Sequence, residues 1–164
     1  MPTPTEELIA KTTLASAAAS YTFSSIPNNY TDLILVAVPI VTSATTFAIR
    51  FNSDSGSNYS VTGLYGDGTS AASWRLSSQT EIRVTYAATN RTTNTGNFIV
   101  NANNYSNNTT YKTNLSRGNV ASDGTDLIVG LWRSTAAINS ITIIPISGGT
   151  IINTGSTFSL YGVL

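Results

Sequence analysis

The 164-residue chain has no cysteine and no histidine. Without cysteine there is no disulfide framework, no thiol nucleophile and no Cys/His zinc site. Without histidine the usual general base at neutral pH is missing, and so is every triad built on one. Charge is scarce too: Asp, Glu, Lys and Arg make up 10% of the residues, against roughly 25% in an ordinary soluble domain. Eight basic residues, scattered and matched by eight acidic ones, leave no stripe to follow phosphates, so no nucleic-acid partner is expected. The longest apolar run, residues 33–41, contains Pro39 and is too short to span a bilayer, so no membrane partner is expected either. The acidic, polar start at residues 1–7 is unlike a secretory signal.

Hydroxyls and amides take the place of charge. The chain carries 26 Thr, 21 Ser and 16 Asn. Such a surface is wetted without being charged, steers little at long range and responds weakly to salt. The formal net charge is zero, which favours self-association and suits a chain whose working state is an assembly.

Apolar residues are 41% of the sequence, enough for a real core. They fall in short alternating runs. Residues 8–14 and 21–23 read as two strands joined by a small-residue turn at 15–20. Residues 31–41 form a long apolar strand, buried on both faces, with Pro39 marking an edge or a bulge. Residues 46–51 and 81–86 alternate cleanly, and 97–101, 126–132, 140–146 and 157–164 follow. Turn clusters separate them at Pro27-Asn28-Asn29, residues 53–58, Gly66-Asp67-Gly68, Asp123-Gly124 and Ser147-Gly148-Gly149. The best helical candidate, residues 5–14, is spoiled by Thr12 and Thr13. The spacing predicts an all-β, single-domain antiparallel β-sandwich, jelly-roll-like, over residues 8–164, preceded by an extended arm at 1–7. Residues 87–112, the least apolar part, read as long loops at one end of the sandwich. Phe158, Leu160 and Gly162 share one face, which makes the last strand a central one.

Eight carboxylates remain for chemistry: Glu6, Glu7, Asp32, Asp54, Asp67, Glu81, Asp123 and Asp126. A glycosidase-type pair needs two acids across a cleft. Glu6 and Glu7 sit at the start of the chain, and Asp54, Asp67, Asp123 and Asp126 sit in turn contexts, where Asp bonds its own backbone. Asp32 enters a strand, and Glu81 alternates with Arg83 on a solvent face. No catalytic residue is assigned, and the chain reads as non-enzymatic. Asn52-x-Asp54-x-Gly56-x-Asn58 has oxygen ligands at alternate positions, as calcium loops do, but Gly63 and Leu64 stand where an EF-hand loop places its bidentate acid. The loop reads as a polar turn in which Arg50 pairs with Asp54 and Asn58 satisfies backbone groups, and no metal or cofactor is assigned. Formal sequons at Asn29, Asn58, Asn90 and Asn114 are what so much Asn, Ser and Thr produces by chance. Trp132 and Phe158 lie in apolar strands and read as core. Asn104, Tyr105 and Tyr111, in the Asn-rich stretch, are candidate exposed contacts, because loop tyrosines stack on sugars.

Three stretches together carry a family resemblance: Tyr21-Thr22-Phe23-Ser24-Ser25-Ile26-Pro27 followed by Tyr30-Thr31-Asp32-Leu33; Arg50-Phe51-Asn52-Ser53-Asp54-Ser55-Gly56-Ser57-Asn58-Tyr59-Ser60; and Ser156-Thr157-Phe158-Ser159-Leu160-Tyr161-Gly162. They resemble a group of tailed-bacteriophage virion structural proteins, common in environmental and cyanobacterial phages and of the decoration or tail-fibre type. The resemblance covers nearly the whole chain in order, and its motifs are strand–turn–strand signatures with no catalytic residues to carry over. It implies a virion component assembled in the host cytoplasm.

Two expectations follow. One is a capsid decoration (cement) protein that sits as a homo-oligomer, a homotrimer, on the outer shell and bridges copies of the major capsid protein. Its arm, Pro2, Thr3, Pro4, Glu6 and Glu7, would strap a neighbour. The other is a tail- or head-fibre module whose loops at 87–112 bind host-surface glycan. The small length and the lack of a shaft favour the first.

Overall fold

The computed structural model describes residues 5–90, 92–93 and 95–164, and among them there are twelve strands and no helix. The strands are β1 (Glu6–Thr13), β2 (Tyr21–Phe23), β3 (Asp32–Val38), β4 (Phe47–Phe51), β5 (Tyr59–Gly66) and β6 (Ala71–Gln79), followed by β7 (Ile82–Arg83), β8 (Asn97–Asn103), β9 (Lys112–Val120), β10 (Gly124–Trp132), β11 (Ile141–Pro145) and β12 (Thr157–Val163). They form an antiparallel β-sandwich. One sheet has eight strands in the order β1-β12-β3-β8-β9-β10-β5-β6, and the other has four, β2-β11-β4-β7. The chain crosses repeatedly between the sheets, so β12 pairs with both β1 and β3 and is internal, as the pattern at Phe158, Leu160 and Gly162 implies.

The inward faces interdigitate through aromatic rings. Phe47 of β4 meets Phe98 of β8 at 5.4 Å, Tyr21 of β2 stacks on Phe158 of β12 at 5.0 Å, and Phe51 of β4 meets Trp132 of β10 at 5.7 Å. Each pair joins one sheet to the other. Trp132 and Phe158 are core, as expected. At one end the Tyr30 ring lies on Gly162, where any Cβ would collide with it, and its hydroxyl donates to Glu7 Oε2 at 3.0 Å.

Several expectations are corrected. Residues 8–14 and 21–23 do not pair with one another, because β1 belongs to the large sheet and β2 to the small one. β3 stops at Val38, so Pro39 ends an interior strand and marks neither an edge nor a bulge. Burial of β3 alternates, with Leu33, Leu35 and Ala37 buried and Ile34 and Val36 half-buried on the outward side. The alternating run at 81–86 yields only β7. Past Arg83 the backbone N–H groups of Val84 and Thr85 both donate to the Phe47 carbonyl, at 2.9 and 3.3 Å, which bends the chain out of the sheet. β5, β6 and β9 lie where no strand was expected. The arm candidates Pro2, Thr3 and Pro4 lie outside the described residues. Glu6 and Glu7 are not arm residues: they open β1, opposite Val163 and Gly162.

After the bend the chain is captured by Asp126. This buried carboxylate accepts the backbone N–H groups of Tyr86, Ala87 and Ala88 at 2.7, 2.9 and 2.9 Å. It holds a segment that covers the inner side of β5 and β6, where Tyr86 stacks on Trp74 at 4.7 Å and touches Tyr65 at 5.3 Å. Asp126→Ala strands three donors and is expected to cost about 3 kcal/mol or more in denaturant unfolding, with Asp126→Asn costing less because one acceptor oxygen survives. An alanine variant within ~1 kcal/mol of the parent would contradict this role.

Candidate functional site

The loop between β4 and β5 carried the metal-like spacing, and its Asn52 and Asp54 side chains are engaged with protein. Asp54 Oδ2 accepts Trp132 Nε1 at 2.7 Å and Asn58 Nδ2 at 2.9 Å, and its Oδ1 accepts the Gly56 N–H at 2.8 Å. Burial pushes the Asp54 carboxyl up, but the hydrogen bonds from Trp132, Asn58 and Gly56 outweigh it and hold the group below its ordinary value. Asn52 donates Nδ2 to the Ala137 carbonyl at 2.7 Å and accepts the N–H groups of Asn139 and Ser140. The buried Tyr59 closes the loop, donating to the Asp54 and Phe51 carbonyls at 3.0 and 3.3 Å and accepting the Phe51 N–H at 3.2 Å. Arg133 reaches the Ser57 and Tyr59 carbonyls from the far end of β10. The loop is a clasp between β4, β5 and β10, and both Asp54 carboxylate oxygens accept from protein donors.

The other acids are also structural. Arg50 was expected to pair with Asp54; it pairs with Glu81, Nη2 to Oε2 at 2.8 Å, and its Nε donates to the Thr80 carbonyl. The reason is side: Arg50 points to the outer face of the small sheet, and Asp54 turns under Trp132. Asp67 caps a tight turn by accepting from the Thr69 and Ser70 side chains and N–H groups, which hold its carboxyl well below the usual range. Among the described residues no three Asp or Glu side chains gather as a cation site would need.

The loop-contact candidates separate. Asn104 is exposed, with a positive φ of 50°, and its N–H donates to Asp32 Oδ1 at 2.7 Å. Tyr111 is 54% exposed. Tyr105 is fully buried and is no loop contact: its ring joins the core and its hydroxyl donates to the Pro27 carbonyl. Buried Asn90 and Asn114 are out of reach of glycosylation.

The feature that sequence reading missed is the outward face of the eight-stranded sheet. Cross-strand register aligns Leu64, Leu127, Arg117, Ile99 and Val36 in one row across β5, β10, β9, β8 and β3. The next row runs through Thr62, Val129, Leu115, Asn101 and Ile34. Leu64, Val129, Leu127 and Leu115 are 57, 51, 47 and 45% exposed. A groove of about 320 Å³ between β10, β5 and β6 is lined by Ser60, Thr62, Arg75, Ser77, Val129 and Leu131 among others, with no carboxylate. The outer face of the small sheet differs, with Thr22, Thr142, Arg50 and Arg83 across its strands. A signal for the missed face was present in β10, where Leu127, Val129 and Leu131 alternate with Asp126, Ile128 and Gly130, which the fold turns inward.

No family model matches the chain, and no curated protein matches it. Among solved structures it is similar to the galectin LEC-6 of Caenorhabditis elegans, at 11% identity over 95% of each chain with a TM-score of 0.34. At that level of superposition no residue or activity carries across.

Two predictions follow from the clasp. Calcium in excess is expected to leave the melting temperature unchanged, since Asp54 already has its partners, whereas Asp54→Ala is expected to cost ~1–3 kcal/mol and to alter Trp132 fluorescence. A calcium-dependent rise in melting temperature would refute the clasp reading. Burial pushes the Tyr59 phenol up to about 12. Its contribution to stability is complete below the ordinary phenol value of about 10 and is lost as pH rises through the folded value. Unfolding free energy is therefore expected to fall between about pH 10 and 12 by an amount on the order of 1–2 kcal/mol after solvent screening, and Tyr59→Phe should remove that part of the slope.

Proposed function

We propose that this chain is a structural subunit of a bacteriophage particle, a capsid decoration (cement) protein that oligomerises on the outer shell and stabilises it. The observation that carries the reading is the outward face of the large sheet, where Leu64, Leu115, Leu127 and Val129 stand exposed side by side. Monomeric proteins rarely leave a large contiguous apolar patch in water, and such patches mark contact surfaces. The reading has two further supports. One is the virion-family resemblance of the three motifs. The other is the use of Asp54, Asp67, Glu81 and Asp126 in turns, an ion pair and backbone capture, which leaves none of these four acids as a poised catalytic group and supports a non-enzymatic role. Its partners are the major capsid protein and further copies of itself.

The fibre-module alternative has the loops at 87–112 contacting host glycan by hydrogen bonds and stacking, with Asn104, Tyr105 and Tyr111 as candidate contacts. Tyr105 is in the core, so Asn104 and Tyr111 remain, which weakens the stacking part of that reading. Copy number per purified particle decides between them. Hundreds of copies, with shells that lose stability when the protein is absent, are expected for decoration. A dozen or fewer copies, or adherence of the purified chain to host cells but not to empty shells, would overturn it.

A further inference from the structure

We propose that the outward face of the eight-stranded sheet is the contact surface for a second copy of this chain, stacked face to face. The role of that contact rests on the reading of the chain as an assembly subunit; the contact itself can be tested apart from it.

The apolar character of this face is placed, and does not simply follow from composition. The same chain gives the small sheet an outer face of Thr22, Thr142, Arg50 and Arg83, with Ala48 and half-buried Ile144 among them. On the large sheet, the outward positions of β9 and β10 hold Leu115, Leu127 and Val129, and Leu64 adjoins them on β5. Strands that turn leucine and valine outward next to one another are built to be covered.

Three properties point to a second copy as the cover. The first is size. Eight strands about 4.8 Å apart and about 24 Å long span a whole face of roughly 800 Å², on the scale of what each partner contributes to a standard stable interface. The second is charge. Arg117 is the one charged residue within the two central rows from β5 to β3; Arg75 on β6 and Lys11 on β1 extend those rows at the two margins, so the centre of the face offers a highly charged partner little to pair with. A purely apolar cover would strand that guanidinium. This face itself offers both what its leucines need and, through Asn101 and Asn119 beside Arg117, amide oxygens that can accept from it. The third is closure. A single self-complementary patch pairs about a twofold axis and is then used up, leaving that patch covered. Two sheets stack this way about 10 Å apart, as they do within a sandwich. The twofold unit, not a threefold one, is therefore the building block that would meet the shell.

The test is the mass in solution of the purified full-length chain by sedimentation equilibrium over a concentration series. The expected result is a dimer, twice the 17.3 kDa chain mass. Leu127→Lys and, separately, Leu115→Lys should each weaken dimerisation at least about tenfold while the circular dichroism stays native, because both side chains are exposed in the single copy. Thr142→Lys, on the opposite sheet, should change nothing. A wild-type chain that stays monomeric at the highest concentration overturns the proposal. So does a trimer, or a dimer that survives both lysine variants but is broken by Ser73→Pro on the edge strand β6. A monomer that still decorates shells would sink the pairing and leave the shell role standing. A dimer missing from purified particles would do the reverse.

Discussion

A four-stranded sheet cannot cover an eight-stranded one, and that mismatch governs the rest of the molecule. The small sheet ends at β7, whose two residues reach only as far as β10 and β5. Beyond it, the inner sides of β5 and β6 have to be covered by irregular chain, which carries unpaired backbone groups wherever it is buried. Asp126 solves this by taking three successive N–H groups of the covering segment into one carboxylate. With those donors satisfied, Tyr86 can lie against Trp74, and the indole sits over Gly63, where a Cβ would strike it. A residue whose sequence context reads as a turn is thus the one that lets a short sheet close a wide one.

The same width explains why β9 is hard to see in the sequence. Its inward side is Lys112, Asn114, Ser116 and Gly118, and its exposed side includes Leu115. Lys112 is buried with its ammonium donating to the Thr110 and Thr135 carbonyls at 2.8 and 3.0 Å, and burial lowers its pKa. Close quarters set these small and polar choices. A Cβ at Gly130 would strike both the Asn114 amide and Ile82, and one at Gly118 would strike Thr85. A reader looking for apolar-in, polar-out alternation finds none here: Leu115 faces out, Val120 faces in, and the residues around them carry no apolar period.

Fold class, the internal place of β12 and the core roles of Trp132 and Phe158 were legible because each depends on local alternation and on residue size. Pairings between distant segments were not. Arg50 binds Glu81 and not its near neighbour Asp54, because strand pleat sends Arg50 to the solvent side of the small sheet and Asp54 belongs to Trp132, 78 residues away. Tyr105 reads as a loop residue from its polar neighbours, yet those neighbours form a turn that leaves the ring pointing inward to the Pro27 carbonyl. The metal-like spacing at 52–58 has the same origin. Oxygen-bearing residues at alternate positions serve a loop that ties three strands together as well as they serve an ion, and only the partners of Asp54 tell the two apart.

A surface poor in charge and one apolar sheet face belong to a single physical design. With zero net charge and ten charged residues per hundred, copies of this chain meet little long-range repulsion and little steering. On the proposed pairing, their association would be left to burial of apolar area, which salt screening hardly touches. A face covered mostly with carboxylates or lysines would bind or release according to ionic strength, whereas leucine rows respond to concentration alone. Mass action then does the rest: every contact that binds only the folded chain adds to its stability in proportion to local concentration. A subunit crowded onto a repeating surface gains most from that dependence, and a free monomer gains least. The hydroxyl-rich remainder of the surface keeps the single chain wetted until that concentration is reached.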